Sequence, residues 1–200
     1  MSDTLDRLFE ILSHPDFLAM KGLSNEVPIF IQTYGPEQED NLRSMVRSLA
    51  NRLERQGLIL SVVDLFDLIL QHLEENGWLD RLIDKEPTMK KEKVLGTLKD
   101  LSDPKSVVVP RLVEKMSQDN NQLTLLTGAG RVYPFLRTHT FLECLQPAML
   151  QHPVVMFFPG EYTHEEGVGS QLRLFGSMPS PLLYRPYYRA FNLDQYRLSS

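Results

Sequence analysis

Cysteine is nearly absent from this 200-residue chain, which holds a single one, Cys144. A lone cysteine cannot close an internal disulfide, and no histidine stands at a spacing that would make it a nucleophile. It reads as core filler in the helical pattern of Phe141, Leu142 and Leu145. Long apolar runs are missing as well. The longest are about a strand in length, and no early segment joins basic residues to an apolar run and a cleavage site. Neither secretion nor membrane spanning is expected, and a cytoplasmic location is. The five histidines, at 14, 72, 139, 152 and 164, form no i, i+4 pair and no His-x-x-His spacing, so no metal site is expected. An excess of positive charge is also lacking. A net charge of −5 argues against a protein that coats nucleic acid nonspecifically.

The distribution of charge says more than its total. Lysine ends at Lys115, so the basic residues of 121–200 are all arginine, and 12 of the 17 Phe and Tyr residues lie after position 120. Arginine is weakly hydrated, stacks on rings and makes planar paired hydrogen bonds. This end of the chain therefore suits a protein interface or a phosphate, and equally a core of rings edged by solvated arginines.

Periodicity supplies the architecture. Leu5, Leu8, Phe9 and Leu12 share a helical face, and Pro15 starts a short second helix that stops at Gly22, giving a helical brace over residues 1–22. Residues 27–34 are apolar nearly throughout and read as a strand covered on both faces. Pro36 and Glu37 open a long helix with Leu42, Met45, Val46, Leu49 and Leu53 as its buried stripe, and residues 58–63 follow as a second strand, completing a βαβ unit. Residues 65–76 are helical. A charged helical insertion occupies about 78–118, its Lys90, Lys91, Lys93 and Lys99 alternating with acids. A strand at 123–127, a helix at 131–145 and a strand at 154–158 repeat the alternation. Residues 163–170, rich in Gly and Glu, read as a mobile loop, with short strands at 172–175 and 187–193. Pro179, Pro181 and Pro186 exclude a helix between them. The expectation is one α/β domain over residues 1–200: three layers around a mostly parallel open sheet, resembling a P-loop NTPase-like domain without its phosphate loop.

Ligands of such sheets collect at the carboxyl ends of the strands. A phosphate loop there requires G-x-x-x-x-G-K-[ST] after the first strand, yet the chain has Thr33-Tyr34-Gly35-Pro36-Glu37-Gln38-Glu39, which is acidic and loses an amide donor at Pro36. After the strand at 123–127 comes Thr127-Gly128-Ala129-Gly130 in place of a metal-holding acid. Asp64, ending the second strand, reads as a helix N-cap. Gly128 and Gly130 could let amides approach an anion, with Arg131 and Arg137 adding charge. A plain tight turn is the commoner reading, since Tyr133 replaces the third glycine of a dinucleotide fingerprint. His139 could face the same rim or serve as a structural histidine. Glu161 and Tyr162 could answer Arg131 or Arg137 across it. Tyr133 and Arg173 complete the candidate partner- or anion-binding set. No catalytic residue, metal or cofactor is assigned.

Several phrases together resemble the BrxB family of BREX bacteriophage-defence systems. They are Lys21-Gly22-Leu23-Ser24-Asn25-Glu26-Val27-Pro28, Leu126-Thr127-Gly128-Ala129-Gly130-Arg131-Val132-Tyr133-Pro134-Phe135 with Arg137 and His139, and Leu145-Gln146-Pro147. Val155-Met156-Phe157-Phe158-Pro159-Gly160-Glu161-Tyr162, Leu172-Arg173-Leu174-Phe175-Gly176 and Tyr187-Tyr188-Arg189-Ala190-Phe191-Asn192 extend the resemblance to nearly the whole chain. The resemblance departs at residues 164–170 and 177–183. It implies a small cytosolic, non-catalytic component working with a site-specific DNA methyltransferase, an alkaline-phosphatase-like PglZ protein and large ATPases to methylate host DNA and block phage. PglZ is the partner expected to touch it. The expected function is therefore an adaptor. A nucleotide- or nucleic-acid-binding subunit using the glycine turn is the alternative, and direct nucleic-acid contact is left open.

Overall fold

A strand that is apolar on both faces must be covered on both, and that requirement organises this molecule. The computed structural model describes residues 2–23, 27–117, 120–148, 150–165, 169–176 and 190–197. In chain order these form α1 (Ser2–Leu12), α2 (Pro15–Leu18), β1 (Ile29–Tyr34), α3 (Glu39–Arg55), β2 (Leu60–Asp64), α4 (Leu65–Glu75) and α5 (Trp78–Lys85). There follow α6 (Lys91–Leu101), α7 (Val109–Met116), β3 (Leu123–Thr127), α8 (Thr138–Leu145), β4 (Val154–Glu165), β5 (Gly169–Leu174) and β6 (Ala190–Asn192). The fold is α/β, with a six-stranded, mostly parallel open sheet in the order β2-β3-β4-β1-β6 and β5 joined to β4 alone.

Every pairing on that main path is parallel, with Phe30 opposite Val155 and Phe191, and Leu125 opposite Val62 and Val155. The alternation of side chains splits the core into two layers. On one face Ile29, Ile31, Val154, Met156 and Phe158 meet α4, α7 and α8. On the other, Phe30, Leu123, Leu125, Val155 and Phe157 meet α1, α2 and α3. The α1 brace is fixed to α3 by Arg52, which bonds Asp6 at 2.7 Å and lies 4.2 Å from the Phe9 ring centroid. Cys144 packs at the edge of the first layer, where burial pushes its thiol pKa up.

Three local expectations are corrected. The helix anticipated over 131–145 begins only at Thr138. Residues 129–135 instead make successive turns, closed by Arg131 and Val132 amides to the Gly128 carbonyl at 3.1 and 3.2 Å and by Leu136 to Val132 at 2.9 Å. Pro134 accounts for this, because it has no N–H to give and restrains the residue before it. The loop anticipated over 163–170 is in part a hairpin: β4 runs on to Glu165 and pairs antiparallel with β5, Glu161 opposite Arg173 and Tyr162 opposite Leu172. Backbone pairing across a register of alternating residues outweighs the polar, glycine-rich composition. The anticipated strand at 187–193 is strand over 190–192; residues 187–189, and the prolines at 179, 181 and 186, lie outside the described residues. Among the described residues no helix is long and apolar enough to cross a membrane.

Candidate partner-binding rim

The carboxyl ends of β1, β2, β3 and β4 converge on one edge of the sheet, and what they hold there is set by four short connections. After β3 the chain must turn at once, and Gly128 does so at φ +84°, a conformation costly for any residue with a Cβ. Space forbids a side chain too, since a Cβ at Gly128 would lie 2.5 Å from Asp64 Oδ1. Gly130 is equally enclosed, with Pro159 and Phe175 at 2.9 and 3.2 Å from the corresponding point. These glycines are required by close packing of three loops.

Asp64 is the centre of the corner that results. It caps α4, accepting from the Phe66 and Asp67 amides at 2.9 and 3.2 Å, and it accepts from Thr127 Oγ1 at 2.8 Å. Arg131 Nη2 binds the same carboxylate and stands 3.3 Å from Asp67, while its guanidinium carbon lies 4.9 Å from the Phe66 ring centroid. Arg43 completes the cluster at 2.7 Å from Asp67 and 3.8 Å from Asp64. Burial acts to raise the Asp64 pKa, but the hydrogen bonds from Arg131, Thr127 and the Asp67 amide outweigh it and hold the carboxyl below its ordinary value. Arg131 is raised in turn, Asp64 outweighing the effect of burial.

The loop after β1 is filled by acid. Glu37 folds back so far that a Cβ at Gly35 would meet its Oε1 at 2.0 Å. Glu39 Oε2 receives the Tyr34 hydroxyl at 2.5 Å and faces Gly130, 3.5 Å from where its Cβ would be. Burial first, then this carboxylate, drive the Tyr34 pKa far upward, so the phenol stays protonated.

At the other end of the rim lies a constellation that sequence reasoning missed. Arg7 of α1 donates to Gln32 Oε1 at 2.8 Å, to the Leu193 carbonyl at 3.0 Å and to Asp194 at 2.9 Å. Asp194 also accepts from Gln32 Nε2 at 2.8 Å and from Thr33 Oγ1 at 2.7 Å. A cavity of about 260 Å³ opens beside this network, with Thr4, Gln38 and Asn41 on its wall. The one signal was the pair Gln32-Thr33, polar residues inside a strand that is otherwise apolar or aromatic.

The expected site residues are thus only partly brought together. Gly128, Gly130, Arg131 and Tyr133 share the β3 turn, and Tyr133 stacks edge-on against Phe175 at 6.3 Å between centroids. Arg131 is engaged by Asp64 and Asp67 in place of the expected Glu161 or Tyr162. The Tyr162 hydroxyl donates to the Ala190 carbonyl at 2.7 Å, tying the β4 extension to β6. Glu161 and Arg173 are exposed and face one another across the hairpin. Arg137 is exposed at the start of α8, and His139 is half-buried on that helix, its pKa lowered by burial against the opposing pull of Glu143. Among the described residues no cluster of three or more His, Cys, Asp or Glu could hold a metal ion.

Comparison with known proteins bears on the whole chain. The family model described as BREX protein BrxB matches residues 61–193. A BREX protein BrxB of Bacillus cereus (strain H3081.97) is 32% identical over 197 residues, 96% of this chain and 97% of the relative. One from Escherichia coli O9:H4 (strain HS) is 27% identical over 194 residues, 94% of this chain and 89% of the relative. No solved structure matches. The chain belongs to the BrxB family of BREX proteins.

Proposed function

We propose that this protein is a non-catalytic adaptor of a BREX phage-defence system, supporting host DNA methylation and phage restriction through contacts with other BREX proteins. Family membership supports the role in defence. The observation that carries the adaptor reading is the chemistry of the rim. Where a nucleotide-binding sheet offers amides and a lysine to phosphate, this one presents the Glu37 and Glu39 carboxylates, and the guanidinium nearest the glycine turn is neutralised by Asp64 and Asp67. Carboxylates at a phosphate slot repel the ligand, whereas a rim locked by ion pairs offers a fixed shape to a protein surface. The exposed groups Arg137, Glu161 and Arg173, which form no ion pair among the described residues, are the arginine-rich contacts such a surface uses. A PglZ-type alkaline-phosphatase-like protein is the partner proposed for it, with the methyltransferase and ATPases further away in the assembly, in the cytoplasm.

The test is co-purification from cells carrying the whole BREX cluster, with Arg137→Glu and Arg173→Glu combined. Loss of anchors of this kind costs roughly 2 kcal/mol, about a thirtyfold weakening. PglZ recovered undiminished with a folded double variant would remove these arginines as anchors. Calorimetric heat with ATP that disappears in Arg131→Met would instead make the protein a nucleotide-binding subunit.

A further inference from the structure

The sheet ends on one side in an open strand. Among the described residues β2 pairs with β3 only, and the lead-in Ile59 and the strand's Val62 are 48% and 49% exposed, unusual for apolar side chains on a sheet. The direction of the outer backbone groups follows from the register. Thr124 gives its amide to the Pro153 carbonyl on the β4 side, so alternation leaves Leu123, Leu125 and Thr127 to bond β2 through Ser61 and Val63. The N–H and C=O of Leu60 and Val62 therefore point outward, a ladder without its second rail. Natural sheets shield such edges with charge, proline or a covering element. Here the edge borders a cavity of about 480 Å³, in which Val46 and Ala50 of α3 extend the apolar surface of Val62.

Charge selects the occupant. Arg47 on α3 and Lys115 on α7 line this groove and form no ion pair among the described residues, against one such carboxylate, Glu54. The other charged residues on its wall, Arg43, Asp64 and Asp67, are engaged with one another and with Arg131, so the charge left for an occupant is positive by one. A second copy is a poor fit, because a twofold pairing of β2 with itself sets two surfaces with the same unpaired positive excess against each other. We infer that the β2 edge, together with its cationic flanks, receives an extended acidic segment of another BREX polypeptide as an added strand. Main-chain bonds supply the affinity, a small apolar side chain covers Val62, and carboxylates meet Arg47 and Lys115. The inference rests on the adaptor reading and gives it a docking site distinct from the rim.

An array of overlapping peptides of about ten residues, enough to cover a strand with its flanks, drawn from the other polypeptides of the cluster, is probed with the purified protein. Bound peptides are then compared with wild type, Val62→Lys, Val62→Pro and the Arg47→Glu, Lys115→Glu pair. Val62→Pro deletes an outward donor without touching the β3 ladder, and Val62→Lys serves if the proline variant does not fold. Expected are acidic, β-prone peptides bound at least tenfold more weakly by all folded variants, and slowed amide exchange at Leu60 and Val62 in the complex. A peptide bound equally by every variant overturns the β2 site while leaving the adaptor reading standing. Wild type that binds no peptide also overturns it, and the adaptor reading falls with it only if co-purification with the whole cluster fails too. Dimers of the protein alone that vanish in Val62→Lys would assign the edge to a second copy and overturn the proposal.

Discussion

The two corners of the rim use the same device in different ways. At the β2–β3 corner, Asp64, Arg131, Asp67 and Arg43 neutralise one another at the end of adjacent strands, and Asp64 is the least exposed member. At the β1–β6 corner, Arg7, Gln32, Thr33 and Asp194 join the two ends of the chain, Arg7 and Asp194 being 187 positions apart, around a cavity that stays open. The first corner fixes the shape of a turn; the second closes the fold on itself. An ion pair therefore does not by itself mark a functional site here, since at both corners the ion pairs are consumed by structure.

The sharpest way to break this comparison is Gly128→Ala. The left-handed backbone costs about 1–2 kcal/mol with a Cβ, and the new atom would displace Asp64 from its partners, for a total loss of about 4 kcal/mol in urea unfolding. An effect under 1 kcal/mol would show that the corner yields easily. Next come paired deletions. Arg131→Met leaves a largely buried carboxylate short of its main partner and is expected to cost about 3 kcal/mol. Asp194→Ala, at a more exposed network, is expected to cost about 1–2 kcal/mol and to speed proteolysis of α1. Equal losses would erase the distinction between the corners. The smallest effect is one of pH. Because the folded pKa of Asp64 is depressed, its contribution is complete above the ordinary value of 3.8 and disappears as the pH falls through the folded value. Asp64→Asn should accordingly be less stable than wild type at neutral pH and show a flatter acid limb. An unchanged limb would assign acid sensitivity elsewhere.

What the sequence made legible follows from the range of the interactions. The strand at Leu123–Thr127 stood out because an apolar run ends in glycines, and Asp64 as a helix cap because capping is local. The partner of Arg131 was hidden, since Asp67 lies 64 positions away and only the parallel pairing of β2 with β3 brings it near. The Arg7 network was further out of reach, Gln32 on β1 and Asp194 in the turn after β6 being 162 positions apart and brought together only by the pairing of β1 with β6. The β4–β5 hairpin was obscured by composition. Its glycines and glutamates read as loop until the partner strand supplies hydrogen bonds that no single segment advertises.

β4 pairs in two different ways along its length. Its first half sits in the middle of the parallel array, and its second half, past Gly160, carries the hairpin. At Gly160 a side chain would strike the Arg173 carbonyl at 2.0 Å, so the crossing is tightly knit. A displacement of the paired strands of the hairpin is passed along one continuous strand into the centre of the parallel array. The hairpin is thereby held in place by the same strand that β1 and β3 hold in the array, so its position follows theirs.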